Sequence, residues 1–205
     1  MTSIAPPVSN PIKWKPVVSI IVTTLALTVF HYQDLFPDSI YDGLLLFLGI
    51  PLLIILLIFR ESPARYGVQI GDWKKGLTYT AIGCLAAAGI LWIAIRLPGI
   101  KEYYAPQAQS ELPYPLRNAI DLLDWEFFFR GFLIFSLADI CGPYAILLQA
   151  VPFTLAHYGK PFIETFSCIF GGAAFGWVAW RTRSFLYPFL IHLFLSSYVV
   201  FLASK

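Results

Sequence analysis

Residues 41–59, YDGLLLFLGIPLLIILLIF, contain one charged side chain in an otherwise almost entirely apolar run. A helix needs about 20 such residues to cross the roughly 30 Å hydrocarbon core of a bilayer. The whole chain of 205 residues is 58% hydrophobic and 13% charged, whereas about 25% of the residues of an ordinary soluble domain are charged. A water-soluble fold has no means of covering so many apolar runs. The sequence therefore predicts a membrane protein.

Further apolar stretches, bounded by charged, proline or glycine residues, lie on both sides of this run. Together they predict an all-α polytopic membrane helix bundle with about seven transmembrane helices. The connectors between the last four are short, which favours a compact four-helix core that carries the chemistry. We expect an N-terminal cytoplasmic tail (1–15), N-terminal transmembrane helices and loops (16–115) and the core (116–203). The predicted spans are 16–35, 41–59, 77–97, 116–138, 143–160, 164–181 and 184–203.

Basic residues divide unevenly between the two predicted sides of the membrane, eight against five. The richer side is normally cytoplasmic, which predicts a cytoplasmic N-terminus and an external C-terminus. The eight are Lys13, Lys15, Arg60, Arg65, Lys74, Lys75, Arg181 and Arg183, and the five are Arg96, Lys101, Arg117, Lys160 and Lys205.

Several classes of function are disfavoured by composition. The formal net charge of +2 and the lack of a basic stripe argue against a nucleic-acid partner. The cysteines are odd in number and have no CxxC spacing, so Cys84, Cys141 and Cys168 are interpreted as small buried side chains. Glycines in CIFGGAAFGW, at 171, 172 and 176, have the spacing of close helix contacts.

Ionisable side chains interrupt the predicted spans of the core. Each costs at least about 2.5–3.5 kcal/mol at the centre of a bilayer, so they normally face a bundle interior or a water-filled cavity. Glu126 and Arg130 are four residues apart on one helix face, which fits a structural ion pair as well as a functional one. His157 and His192 lie in other spans of the same core, whereas His31 is interpreted as interfacial. A buried carboxylate with two histidines is typical of sites that activate water, either by general base catalysis or through a metal.

Three motifs at these residues resemble the CPBP (Abi) family of intramembrane proteases, which includes the CAAX prenyl endopeptidases and many bacterial relatives. The family carries EExxxR, FxxxH and HxxxN or HxxxD on consecutive helices. The chain has WEFFFR at 125–130, FTLAH at 153–157 and HLFLS at 192–196. The resemblance covers roughly residues 115–203 and implies a membrane-embedded CAAX protease-like endopeptidase.

Two positions depart from the family pattern. Trp125 stands where the family usually has a first Glu, the proposed water-activating base, and Ser196 stands where it usually has Asn or Asp. Trp125 cannot accept a proton and lies about 100° around the helix from Glu126. Glu164, which follows a Gly-Lys-Pro turn after His157, is a second candidate carboxylate. The alternative is that Glu164 only caps the first turn of its own helix, where the helix dipole favours an acid.

The resemblance implies water-mediated hydrolysis by named residues. Glu126, or Glu164 in its place, would act with His157 to deprotonate water, while His192 and Ser196 would hydrogen-bond the developing oxyanion. Arg130 would hold the carboxylate. This glutamic mechanism requires no cofactor. A zinc version would use His157, His192 and Glu126 as ligands, although the sequence has no HExxH motif.

The expected substrate is a membrane-anchored protein or peptide, cleaved within the lipid bilayer. C-terminal processing or sorting is one function of this kind. We expect a multi-pass protein of a bacterial plasma membrane with its cavity open to the outside. The oligomeric state is left open. Two other classes compete with the enzyme: a catalytically silent binding or immunity protein of the same fold, and a small transporter, since buried acids and histidines also build proton relays. The gathering of the polar residues at one site, without an inverted repeat, argues against transport.

Overall fold

The computed structural model of the protein describes residues 13–109 and 114–205, and these residues form a helical bundle. Residues 1–12 of the predicted tail and 110–113 of the loop before the core lie outside the described residues. We number the helices α1 (Trp14–Tyr32), α2 (Ser39–Phe59), α3 (Trp73–Ala94), the short α4 (Ile100–Tyr104), α5 (114–141), α6 (Ala145–Leu155), α7 (Phe162–Thr182) and α8 (Leu186–Ala203).

Six helical runs in the described residues are long and apolar enough to cross a membrane, which confirms the all-α membrane bundle. One of them, Tyr114–Leu155, has 42 residues, about twice the length that a single crossing needs. The run folds back on itself at Gly142, whose φ of 52° suits glycine. The contact between Phe129 on α5 and Phe153 on α6, with 5.3 Å between ring centroids, shows that the two halves lie side by side. The run therefore holds two of the seven predicted spans, arranged as a hairpin.

Ion pairs and hydrogen bonds group the helix ends into two sets. At one end, Lys15 contacts Glu61 at 2.6 Å and Arg65 contacts Asp139 at 2.8 Å, so the start of α1 and the ends of α2 and α5 share a side. At the other end, Arg117 binds Asp38 at 2.7 Å. This division agrees with the predicted grouping of basic residues. Which of the two sides is cytoplasmic stays a prediction.

Glu61 is the centre of a charged cluster at the first of these ends. Its carboxylate accepts hydrogen bonds from Lys15 and Tyr66 and pairs with Arg65 at 2.8 Å. Burial raises the pKa of Glu61, but these three partners outweigh burial, and the pKa lies below its usual value. The cluster joins α1 to the loop that follows α2.

The middle of α5 is the core of the bundle. The segment Phe127–Leu133 forms a widened, π-helical turn, and Phe127, Phe128, Phe129 and Phe132 are all 0% exposed. A helix that is apolar on every side is surrounded by other elements, and here α1, α2, α6 and α7 pack around it. Wide turns of this kind occur frequently at functional sites. The turn begins directly after Glu126 and contains Arg130.

Helices α6 and α7 approach each other closely through glycines. A Cβ on Gly172 would lie 2.9 Å from Phe153, and one on Gly176 would lie 2.8 Å from Gln149, so a side chain at either position would have to displace a packed neighbour. Gln149 adds a buried hydrogen bond of 2.7 Å to the Gly172 carbonyl. The packing predicted for these two glycines is confirmed. Gly171 differs, because nothing lies within 4 Å of a Cβ placed there.

Candidate active site

Glu126 sits in the centre of α5 and is approached from two sides. His192 on α8 donates from Nδ1 to Glu126 Oε1 at 2.7 Å, and Arg130 Nη1 lies 3.3 Å from the same oxygen. The carboxylate and the guanidinium are both 0% exposed, and Glu126 Oε2 has no hydrogen-bond partner within the described residues. The ion pair predicted between Glu126 and Arg130 is confirmed, and it extends to a histidine of another helix.

Arg130 is held largely by aromatic faces. Its guanidinium carbon lies 3.8 Å from the ring centroid of Phe153 and 5.3 Å from that of Phe175. None of its three side-chain nitrogens makes a hydrogen bond within the part of the chain that the structure describes. Cation–π contacts between desolvated groups contribute about 2 kcal/mol or more. The positive charge is therefore fixed beside Glu126 and compensated mainly by that carboxylate.

His157 follows the end of α6 and has one nitrogen engaged. Its Nδ1 lies 2.7 Å from the Phe153 carbonyl oxygen. A carbonyl oxygen can only accept, so Nδ1 carries the proton and Nε2 of the neutral ring has a free lone pair. The centroid of the imidazole lies 4.4 Å from that of the Phe153 ring and 6.0 Å from that of the Trp125 ring.

Two cavities meet at the histidines. The polar cavity has a volume of about 260 Å³ and the apolar cavity about 410 Å³, and His157, His192 and Tyr104 line both. Side chains that line the polar cavity include Tyr114, Asn118, Asp121, Trp125, Lys160 and Ser196. Those of the apolar cavity include Ile90, Leu91, Ile163, Glu164, Cys168, Phe175, Leu195 and Val199, and Gly171 contributes to its wall. The structure thus brings both predicted histidines to the boundary between a polar and an apolar space.

Ser196 and Glu164 line the cavities, and in the described part of the chain neither is hydrogen-bonded to Glu126 or Arg130. Ser196 donates to Asn118 Oδ1 at 3.2 Å and lies 3.0 Å from the Tyr114 hydroxyl. Glu164 Oε1 accepts from Tyr104 at 2.7 Å and from Lys160 at 3.0 Å.

The Tyr104–Glu164 bond ties α4 across the cavities to α7. Burial, and next the negative charge of Glu164, raise the pKa of Tyr104, so its hydroxyl stays protonated and donates. Among residues 13–109 and 114–205, no histidine forms a hydrogen bond with the Glu164 carboxylate.

Trp125 fills the place where the resembling family has its first acid. Its indole packs against Phe47 at 5.2 Å and Phe30 at 6.0 Å, and it forms part of the wall of the polar cavity beside His157. It supplies shape to the cavity and no proton acceptor.

The polar cavity contains residues that the sequence analysis did not assign to the site, among them Asp121, Lys160 and Asn118. Asp121 was recognisable as a charge inside a predicted span, and it precedes Trp125 by one helical turn. No motif marks Asn118, whose position beside Ser196 depends on how α5 and α8 meet.

The donor set predicted for zinc is not arranged as a ligand group. Within residues 13–109 and 114–205, no group of three or more His, Cys, Asp or Glu side chains is spaced to hold a metal ion. Glu126 Oε1 is shared by His192 and Arg130, and His157 uses Nδ1 on a carbonyl. We therefore derive no step through a metal.

Part of the chain matches a known family. Residues 126–198 match the family model described as type II CAAX prenyl endopeptidase Rce1-like. This segment is less than half of the chain, but it begins at Glu126 and contains Arg130, His157, His192 and Ser196. No curated protein and no solved structure matches the chain. The resemblance to CAAX-type intramembrane endopeptidases is confirmed over these residues.

Proposed function

We propose that the protein is an intramembrane endopeptidase that hydrolyses a peptide bond of a membrane-anchored protein, by attack of an activated water. The observation that carries this proposal is the position of His157 and His192, which come from separate helices and line both the polar and the apolar cavity. The match to the CAAX endopeptidase family supports the same reaction class.

His157 is suited to act on the water. Its Nε2 is an acceptor because Nδ1 donates to the Phe153 carbonyl. A water bonded to Nε2 in the polar cavity would be oriented for attack on a carbonyl carbon at the boundary of the two cavities. A base that takes a proton from a water held in this way accelerates a reaction by about 10²–10⁴-fold.

His192 is suited to stabilise the tetrahedral intermediate. Glu126 holds its Nδ1 and, with Arg130, fixes the orientation of the ring. A hydrogen bond from His192 Nε2 to the oxyanion requires the imidazolium form, with a proton on each nitrogen, and the Glu126 carboxylate at Nδ1 stabilises that positive charge. Ser196 adds a hydroxyl to the wall of the same cavity.

The enclosure of Glu126 decides how it takes part. One oxygen of its carboxylate contacts His192 and Arg130, and the side chain is 0% exposed. Glu126 lines neither cavity. Glu126 therefore acts through His192, as a positioning residue, and does not itself hold the water. Glu164 lines the apolar cavity, where an ordered water has few polar partners.

The apolar cavity is suited to an apolar part of the substrate. Its volume is about 410 Å³, and most of the residues that line it belong to α3, α7 and α8, with aliphatic side chains chiefly on α3. Small-molecule sites typically measure about 300–1,000 Å³. A substrate whose anchor lies in the bilayer would place an apolar side chain or lipid chain there and present its peptide bond to the histidines. Processing near a C-terminal anchor, on the side of Lys160, fits this arrangement.

Cleavage by the reconstituted protein tests the proposal. The full chain in phosphatidylethanolamine–phosphatidylglycerol liposomes is incubated with a pool of peptides, one set anchored by a C-terminal apolar helix and one by a prenylated cysteine, and products are identified by mass spectrometry. We expect cleavage that His157→Ala and His192→Ala each reduce by at least about 100-fold. His31→Ala is the matched control, because His31 lines neither of the two cavities.

Retention of full activity in either variant would contradict the assigned roles. A wild-type protein that binds the anchored peptides but cleaves none would instead support the silent binding protein.

A further inference from the structure

We infer that Asp121 is the carboxylate that binds the attacking water and takes its proton. This inference rests on the proposed endopeptidase function and identifies the acid that Trp125 does not supply. Asp121 lines the polar cavity together with His157, His192 and Ser196.

Asp121 lies on the face of α5 that carries Trp125 and lines the polar cavity. It lies four residues before Trp125, and residues four apart share a helix face with about 5–6 Å between Cβ atoms. The segment Tyr114–Glu126 is regular α-helix, so this relation holds between the two. Both side chains line the polar cavity, which confirms that they share a face. An acid lost at one position of the wall is therefore present one turn away.

The other carboxylates of this region are engaged or face elsewhere. Glu126 is fully buried behind His192, and Glu164 binds Tyr104 and Lys160. Asp124 is 1% exposed and lines neither cavity. Asp121 is half-buried. Among the described residues that line the polar cavity, it is the only one with a carboxylate side chain.

The nearby cations leave Asp121 available. Arg117, one turn before it, donates from both terminal nitrogens to Asp38 at 3.0 and 2.7 Å. Lys160, which lines the polar cavity, donates to Glu164 at 3.0 Å. Each cation thus has an acidic partner of its own.

The chemical step balances without any co-reactant. A water held between Asp121 and His157 Nε2 gives a proton to the Asp121 carboxylate as its oxygen forms a bond to the peptide carbonyl carbon. The carbonyl electron pair moves to oxygen, which accepts a hydrogen bond from Nε2 of His192 in its imidazolium form, and the ring keeps both of its protons throughout. When the intermediate collapses, the C–N bond breaks and protonated Asp121 returns the proton to the leaving nitrogen. The products are a carboxyl and an amine, and Asp121 is again ionised.

Cleavage kinetics of Asp121 variants test the inference, with the anchored peptide that the wild type cleaves best. We expect Asp121→Asn to lower kcat by at least about 100-fold with KM changed less than threefold, since only proton transfer is removed. Asp121→Glu, which restores a carboxylate, should recover at least a tenth of wild-type kcat. Asp124→Asn makes the same chemical change three residues away, outside both cavities, and should keep wild-type kcat. Thermal unfolding of each variant verifies that the fold is intact.

The outcomes separate this inference from the proposed function. Wild-type cleavage with Asp121→Asn within threefold of wild-type kcat would overturn the inference and leave the proposed function standing. A 100-fold loss in Glu164→Gln, with Asp121→Asn active, would assign the base to Glu164 and also overturn it. A wild-type protein that cleaves neither set of anchored peptides would refute the proposed function and this inference with it.

Discussion

Replacing Arg130 by methionine tests whether the Glu126–Arg130 pair has a structural or a catalytic role. Both side chains are 0% exposed, so solvent does not screen the charge that a single substitution leaves behind. Removing one partner of a buried ion pair costs about 3–5 kcal/mol, because the remaining charge is uncompensated. We expect this loss of unfolding free energy for Arg130→Met and a similar one for Glu126→Gln, which leaves the arginine unpaired.

The double variant Glu126→Gln/Arg130→Met separates the two roles. Replacement of a whole buried pair by uncharged residues of similar volume is often close to neutral, so the double variant should be at least about 2 kcal/mol more stable than the sum of the single losses predicts. Activity should not recover with stability. His192 loses the charged carboxylate that holds its Nδ1 at 2.7 Å, and kcat should stay at least about 100-fold below wild type.

The assay combines reversible unfolding in mixed micelles, followed by tryptophan fluorescence, with cleavage of an anchored peptide in liposomes. Additive single losses, within about 0.5 kcal/mol, would show that the two charges are not coupled. A double variant with wild-type kcat would show that the pair only holds the helices together, and the positioning role of Glu126 would be refuted.

Three further predictions follow from the cavities, the charged cluster and the donor set. Gly171→Leu should fold normally, because nothing lies within 4 Å of a Cβ at this position. Since Gly171 lines the apolar cavity, the variant should slow cleavage of substrates with bulky apolar groups in competition assays. Gly172→Leu, whose Cβ would lie 2.9 Å from Phe153, should lower the melting temperature instead. The folded-state pKa of Glu61 lies below the usual 4.5, so its stabilisation is complete above that pH and is lost as pH falls through the lower value. The melting temperature of the wild type should therefore exceed that of Glu61→Gln at pH 7, and the difference should shrink below pH 4.5; a constant difference would contradict the assigned ionisation. Cleavage should survive exhaustive chelation, whereas a loss that zinc restores would establish the zinc version.

The transmembrane organisation was predictable because apolar run length is a property of local sequence. The predicted span 164–181 corresponds to α7 at Phe162–Thr182, and 184–203 to α8 at Leu186–Ala203. The hairpin inside Tyr114–Leu155 was also predictable, from the Gly-Pro connector between two runs. Spacing along one helix likewise predicted the Glu126–Arg130 pair.

Contacts between helices were less accessible to sequence reasoning. Their partners depend on how each helix is rotated, and the π-helical turn at Phe127–Leu133 changes that rotation in the middle of α5. The hydrogen bond from His192 to Glu126 joins residues 66 positions apart, and that from Tyr104 to Glu164 joins residues 60 apart. Asp121 belongs to no motif and stands out in the sequence only as a charge inside a predicted span, so the lining of the polar cavity is needed to place it beside the histidines.

The central claim is that His157 and His192 face one hydrated space together with a carboxylate. An experimental structure of the protein in lipid nanodiscs, at a resolution that shows ordered water, tests this claim most directly. We predict a water within about 2.6–3.2 Å of both His157 Nε2 and an Asp121 carboxylate oxygen, the range over which a base can take a proton. Imidazoles that point apart, or a polar cavity filled by hydrocarbon without water, would contradict the account.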